Sequence, residues 1–287
     1  MQIYSYFCTV KLLEHITEPV ATELAQFEAF FKQSLKANTE PMDSIMQYVT
    51  ETKGKRLRPL LVLLSAKLFG EVNEQTLRAA SFVEMVHTAT LIHDDVVDDS
   101  DERRGRASVK ARFGNLSAVL SGDYLLAKAM LLLSNTKDID ILNEMLGTTA
   151  AMSEGELMQN ASFEVPEPVE GPAFRQAQRP AEGRPADAYL EIITRKTALL
   201  MRSCCTAGAM SVGATPEQIQ QIADFGINFG ILFQLRDDMI DGENTAQAQS
   251  LLPEYQQKTL DSLKPFPATE TLEALRELTV FCAERKE

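Results

Sequence analysis

Residues 74–98 read EQTLRAASFVEMVHTATLIHDDVVD, an apolar stretch at helical spacing that runs straight into a cluster of aspartates. Residues 216–241, PEQIQQIADFGINFGILFQLRDDMID, repeat the pattern and end the same way. Strand-like alternation bounded by turn residues is hard to find around either one. Working outward, further segments of Leu, Ala, Met, Glu and Gln at a 3.6-residue period predict helices over 18–36, 59–69, 116–133, 139–158, 188–210 and 271–284. Pro59 and Pro216 suit first helical positions, Thr215 an N-cap, and Gly70 and Gly242 helix stops. The expected fold is all-α, a single large helical bundle occupying residues 1–287.

The 287 residues are 45% hydrophobic, enough to bury a sizeable core. With 28 basic against 41 acidic side chains the net charge is −13, which disfavours nucleic acid as a partner. No run approaches the ~20 uninterrupted apolar residues of a spanning helix, and Met1–Leu13 lacks the pattern of a secretion signal. Cys8, Cys204, Cys205 and Cys282 have no metal-ligand spacing, so a reduced, cytoplasmic setting is expected. Residues 160–187 break the helical pattern with five prolines and a near-repeat, PVEGPA then PAEGRPA, and predict a flexible surface insertion within the bundle.

The chemistry sits in the two aspartate clusters. Asp94, Asp95 and Asp98 form one D-D-x-x-D, and Asp237, Asp238 and Asp241 the other. Residues i and i+4 of a helix are neighbours, so Asp94 and Asp98 face one way, as do Asp237 and Asp241. Like charges at that spacing repel, and a helix C-terminus adds negative potential. A single acidic run is usually a solvated face, but two copies ending apolar helices point to a cation. Carboxylates without sulfur or clustered imidazole select a hard ion. A calcium loop fails, since Met239 and Ala248 stand where its oxygen ligands belong, so Mg²⁺ is preferred.

Magnesium completes its shell with phosphates, and phosphates call for cations. Lys55, Arg56 and Arg58 start a helix, where free N–H groups also favour anions. Arg103 and Arg104 follow the first aspartate cluster, and Arg195, Lys196 and Thr197 interrupt an otherwise apolar helix. His87, seven residues before Asp94, shares its stripe; a core role and a substrate hydrogen bond weigh about equally. Gln234 is similarly placed before Asp237, while Gly226 and Gly230 predict close helix packing.

Taken in order, GKRLRP, HTATLIHDDVVDDSDERRG, EIITRKTALL and FQLRDDMID make the chain resemble the trans-polyprenyl diphosphate synthases from about Met42 to Asp241. The resemblance implies the isoprenoid synthase fold with a central apolar cavity, a homodimer, and condensation of isopentenyl diphosphate with an allylic diphosphate such as farnesyl diphosphate. It implies that the six aspartates hold Mg²⁺ and that Arg103, Lys196, Thr197 and Gln234 hold the allylic diphosphate. Lys55, Arg58, His87 and Arg104 would hold isopentenyl diphosphate. The Gly-Lys usual after the second motif is here Gly242-Glu243-Asn244, and the next lysine is Lys258.

Short-chain members of that family carry a bulky aromatic four or five residues before the first aspartate, where this chain has Ala89 and Thr90, with Val86 one turn earlier. The expected product is therefore long, six or more isoprene units, of the octaprenyl or hexaprenyl type that serves quinone side chains. Geranylgeranyl diphosphate synthesis is the alternative. A terpene cyclase and a non-catalytic regulatory subunit remain as further readings.

Overall fold

A computed structural model describes residues 14–51, 54–134, 139–160 and 186–286. The insertion expected at 160–187 lies, apart from its ends, outside the described residues, as does Cys8. Those residues are almost wholly helical. In order come a short 3₁₀ turn (Glu18–Val20), α1 (Ala21–Ser34), α2 (Glu40–Glu51), α3 (Leu57–Phe69) and α4 (Glu74–Val97). A two-strand hairpin follows, β1 (Glu102–Arg103) and β2 (Arg106–Ala107). Then come α5 (Val109–Phe113), α6 (Asn115–Ser134), α7 (Ile139–Asn160) and α8 (Ala186–Ile193). A π-helical turn (Thr194–Ala198) leads into α9 (Leu199–Ser211), α10 (Pro216–Asp241), α11 (Thr245–Ser262) and α12 (Glu270–Glu284).

The chain divides into two compact units, one of residues 20–145 and 207–215, the other of 1–19, 146–206 and 216–287. In the first, α4 is the centre. Asn73 caps it, its side chain accepting from the amides of Gln75 and Thr76 while Thr76 Oγ1 accepts from the Asn73 amide. Ala79, Ala80, Phe82, Val83, Met85, Val86 and Ala89 are all buried, the signature of a helix with protein on most sides. Helix α6 packs along it through Ala118, Ser121, Gly122, Leu125, Ala129 and Leu133. The opposite face of α6 leaves Leu116, Val119, Leu120, Met130 and Leu131 exposed. By length and composition α6 is apolar enough to cross a membrane, although its other face is committed to α4.

In the second unit, α10 is the centre. Ile231 and Leu235 form a core cluster with Tyr189, Ile193, Ala198 and Ala248, each large aliphatic side chain contributing about 2 kcal/mol of burial. The close packing expected of Gly226 and Gly230 is observed: a β-carbon on Gly230 would stand 2.5 Å from Ala198 Cα, and one on Gly226 2.7 Å from Arg202 Cα. Gly242 stops α10 at φ +78°. Helices α2 and α11 were not expected. Helix α11 is polar and carries Pro253, so its periodicity is weak.

Candidate active site

The first aspartate motif closes α4, and its exposure is graded. Asp94 is half-buried, Asp95 buried and Asp98 exposed, because residues one apart on a helix point about 100° from each other. Asp95 does not face out with its neighbours. Its Oδ1 accepts from Arg103 Nε at 2.9 Å and Nη2 at 2.5 Å. Arg103 comes from the hairpin, whose central residues Arg104 and Gly105 have φ +54° and +73°, the turn that matches strand twist. Sequence reasoning missed the hairpin, since two-residue strands fall below any pattern length. Lys110 ties the link down through Asp99 at 2.6 Å and Asp101 at 3.1 Å.

A pocket opens beside α4, which lines it with Glu84, His87, Thr88, Leu91, Ile92 and Asp95. Its other walls include Phe31, Tyr48, Arg56, Arg103 and Arg104. His87 titrates well below the ordinary histidine value, first because it is buried and then because Arg58, Arg104 and Arg103 stand near. It is a neutral imidazole at physiological pH. Arg56, at φ +52°, turns inward to Glu84 (2.5 Å) and Glu28 (2.8 Å), and stacks over Phe31. That makes Arg56 the brace of the basic turn. Lys55 is exposed and Arg58 half-buried. No carboxylate among the described residues pairs with Arg104, whose guanidinium lies against Gly54. Three of these cations thus surround one neutral ring, an arrangement that an anion relieves. Val86 and Ala89 are buried on another face of α4, Thr90 is half-buried, and none of them lines this pocket.

The second unit holds the other predicted residues. The π turn presents Lys196 and Thr197, and Lys196 pairs with Glu156 of α7 at 2.7 Å. Such turns recur at functional sites because they re-aim side chains. Thr197 Oγ1 donates to Gln234 Oε1 at 2.7 Å, and Gln234 Nε2 donates to Asp238 Oδ1 at 2.7 Å. Tyr189 donates its hydroxyl to Asp238 Oδ2 at 2.6 Å. Burial, then this bond and the Asp238 charge, raise the Tyr189 hydroxyl far above an ordinary phenol, so it stays a donor.

Asp237 is half-buried, Asp238 buried and Asp241 exposed, the same grading as in the first motif. Arg285, at the end of α12, reaches Asp237 at 2.5 Å while stacking on Phe233. Burial lifts the Asp237 carboxyl above its usual range, Arg285 pulls it down, and Asp241 and Asp238 push it up again. Glu84, Glu156, Tyr189 and Arg285 went unnoticed in the sequence because their partners are remote in it.

Among the described residues no three His, Cys, Asp or Glu side chains already converge as a metal cage. Mg²⁺ does not demand one, since it keeps waters and takes one or two carboxylates plus substrate phosphates. The donor set fits that chemistry. It is carboxylate throughout, and the charges of Asp241 and Asp238 disfavour ionisation of Asp237, a repulsion that a cation would relieve.

Residues 39–250 match the model of the polyprenyl synthetase family. The chain belongs to the polyprenyl synthetase family. Octaprenyl diphosphate synthase of Escherichia coli (strain K12) is 31% identical over 229 residues, 80% of this chain and 66% of that protein. An all-trans-nonaprenyl-diphosphate synthase (geranyl-diphosphate specific) of Rhodobacter capsulatus is 35% identical over 79% of this chain and 65% of its own length. The chain spans just under two thirds of the length of those curated relatives. A polyprenyl synthase from Caulobacter crescentus CB15, crystallised with calcium and isoprenyl diphosphate, superposes with a TM-score of 0.83 at 25% identity, covering 96% of this chain and 98% of that one.

Proposed function

We propose that this chain condenses isopentenyl diphosphate with an allylic diphosphate to make a long-chain, all-trans polyprenyl diphosphate. The observation that carries the reading is the pocket that Arg103 and Arg104 line beside neutral His87, with Arg58 near enough to act on the same imidazole. Arg104 supplies a cation to a diphosphate there, Arg58 and Lys55 add charge, and the imidazole offers a hydrogen bond without competing for protons. The allylic diphosphate is assigned to Arg103, Lys196, Thr197 and Gln234, and Mg²⁺ to Asp94, Asp95, Asp98, Asp237, Asp238 and Asp241. Bound Mg²⁺ would supply Lewis-acid stabilisation of the charge on the leaving diphosphate. The chain's own part is to hold both diphosphates, exclude water from the allylic cation and align the double bond that attacks it. The departed diphosphate takes the final proton, so no protein nucleophile is required.

Relatives named for octaprenyl and nonaprenyl products support the long chain, as does the absence of a bulky side chain at Ala89 and Thr90. The Caulobacter structure's calcium and isoprenyl diphosphate support a hard cation beside a diphosphate. The exposed stripe of α6 supports a homodimer, since apolar faces of that length are normally covered. A cytoplasmic setting is in keeping with the buried thiols of Cys204, Cys205 and Cys282. The test is incorporation of labelled isopentenyl diphosphate by the purified chain with farnesyl diphosphate and Mg²⁺, followed by product chromatography. Products of six or more units support the proposal. A twenty-carbon product favours geranylgeranyl diphosphate synthesis and a cyclic hydrocarbon a cyclase. No incorporation points to a non-catalytic subunit.

A further inference from the structure

Asp238 is a carboxylate with almost no exposed surface, and among the described residues its side-chain donors are Tyr189 and Gln234. Both donors are neutral. Each carboxylate oxygen therefore receives one hydrogen bond and keeps lone-pair capacity for another partner, and the group retains its full charge. An arginine or lysine in the same place would compete with a metal ion; a phenol and an amide orient the carboxylate without neutralising it. Tyr189 is itself packed in the core. Its ring belongs to the core cluster of Ile193, Ala198, Ile231, Leu235 and Ala248, and is 3% exposed. A phenylalanine would fill the same space, so packing alone does not account for the hydroxyl, whereas a buried phenol needs an acceptor and here takes a carboxylate. On the other side the amide of Gln234 is fixed by Thr197, which holds its oxygen so that its nitrogen faces Asp238.

We propose that Tyr189 is a positioning residue for the second aspartate motif: its buried hydroxyl fixes the Asp238 carboxylate in the orientation that receives a divalent cation. The inference rests on the assignment of Mg²⁺ to that motif and adds a residue that lies outside both aspartate clusters. Partners of this kind commonly change metal affinity by 10- to 100-fold.

The test uses the full chain and Mn²⁺ as the probe, titrated by electron paramagnetic resonance in the presence of inorganic pyrophosphate. Tyr189→Phe should keep the wild-type helical signal and weaken Mn²⁺ binding about tenfold. In a chain already carrying Asp238→Asn, adding Tyr189→Phe should cost nothing more, because the two act as one unit. Tyr255→Phe, at a tyrosine whose hydroxyl has no aspartate partner among the described residues, should bind as wild type. Unchanged Mn²⁺ affinity in a folded Tyr189→Phe chain overturns the proposal, as does a loss that simply adds to that of Asp238→Asn. A Tyr189→Phe chain that does not fold overturns it too, by making the residue structural. If the wild-type chain binds no Mn²⁺ with pyrophosphate, the magnesium assignment itself fails, and the role of Tyr189 with it.

Discussion

Replacing Gly230 with alanine should cost activity out of proportion to stability. Alanine favours a helix interior over glycine by about 1 kcal/mol. Against this, the new β-carbon would stand 2.5 Å from Ala198 Cα, 2.9 Å from its Cβ and 3.1 Å from its carbonyl oxygen. Carbon atoms rest at about 3.5–4.0 Å, so α10 and the π turn must part by roughly 1 Å. Overpacking of this sort costs about 1–3 kcal/mol, which leaves a net loss of about 0–2 kcal/mol. A protein of this size then loses a few degrees of melting temperature. The effect on the site is larger. Thr197 and Gln234 are joined by a 2.7 Å bond across that contact; a 1 Å separation breaks it and releases the amide that steadies Asp238. Misplacement by about 1 Å is enough to cost on the order of 100-fold in rate. The assay pairs thermal melts with steady-state incorporation of labelled isopentenyl diphosphate. Gly147→Ala is the comparison, since its β-carbon meets nothing within 4 Å and should leave the melting temperature equal or higher. A Gly230→Ala chain with wild-type turnover and a melting temperature raised as much as Gly147→Ala would refute the reasoning.

Arg104→Gln removes the pocket cation that has no carboxylate partner among the described residues, and should raise KM for isopentenyl diphosphate about 10- to 100-fold with a smaller change in kcat, the range expected for one charge-assisted hydrogen bond. Burial, helped by Arg58, Arg104 and Arg103, depresses His87 in the folded chain, so below its unfolded value near 6.5 the unfolded state binds the extra proton. Stability should be fully present above pH 6.5 and fall with pH below it, and denaturant melts of His87→Gln should show a flatter profile between pH 6.5 and 5. Ala89→Phe should shift products to shorter chains on chromatography; an unchanged spectrum would count against a growing chain that passes this residue.

The all-α class was legible because apolar periodicity over 74–98 and 216–241 is long and unbroken, and Gly226 and Gly230 announced the close helix contact that α10 makes. Helix α11 was not legible: it is polar, interrupted by Pro253, and folded by its contact with α10 rather than by its own pattern. The aspartates and the basic clusters could be read from spacing alone. What holds them could not. Tyr189 lies 49 residues from Asp238, Arg285 lies 48 from Asp237, and Arg56 reaches 28 residues in each direction to Glu28 and Glu84. A buried tyrosine hydroxyl was the one available hint, since such a group must find an acceptor. Positive φ is a second trace of the site that only coordinates reveal. Arg56, Asp99, Arg104 and Asn244 all adopt it, each beside an aspartate motif or a basic turn, at about 1 kcal/mol or more apiece.

The two aspartate motifs are spelled alike, yet their central residues are held by opposite means. Asp95 is buried against the Arg103 guanidinium, so much of its charge is already answered. Asp238 is buried against a phenol and an amide, which satisfy its geometry and leave its charge in place. A buried carboxylate of the second kind is costly unless a cation arrives, whereas the cost of one of the first kind is partly offset beforehand. Converting Asp95 to asparagine therefore removes a carboxylate from the proposed cation site and also frees the Arg103 guanidinium that lines the diphosphate pocket. The same change at Asp238 acts on the proposed cation, because its side-chain donors among the described residues, Tyr189 and Gln234, are both neutral. Identical letters in a motif carry identical chemistry only when their buried partners match, and here they do not.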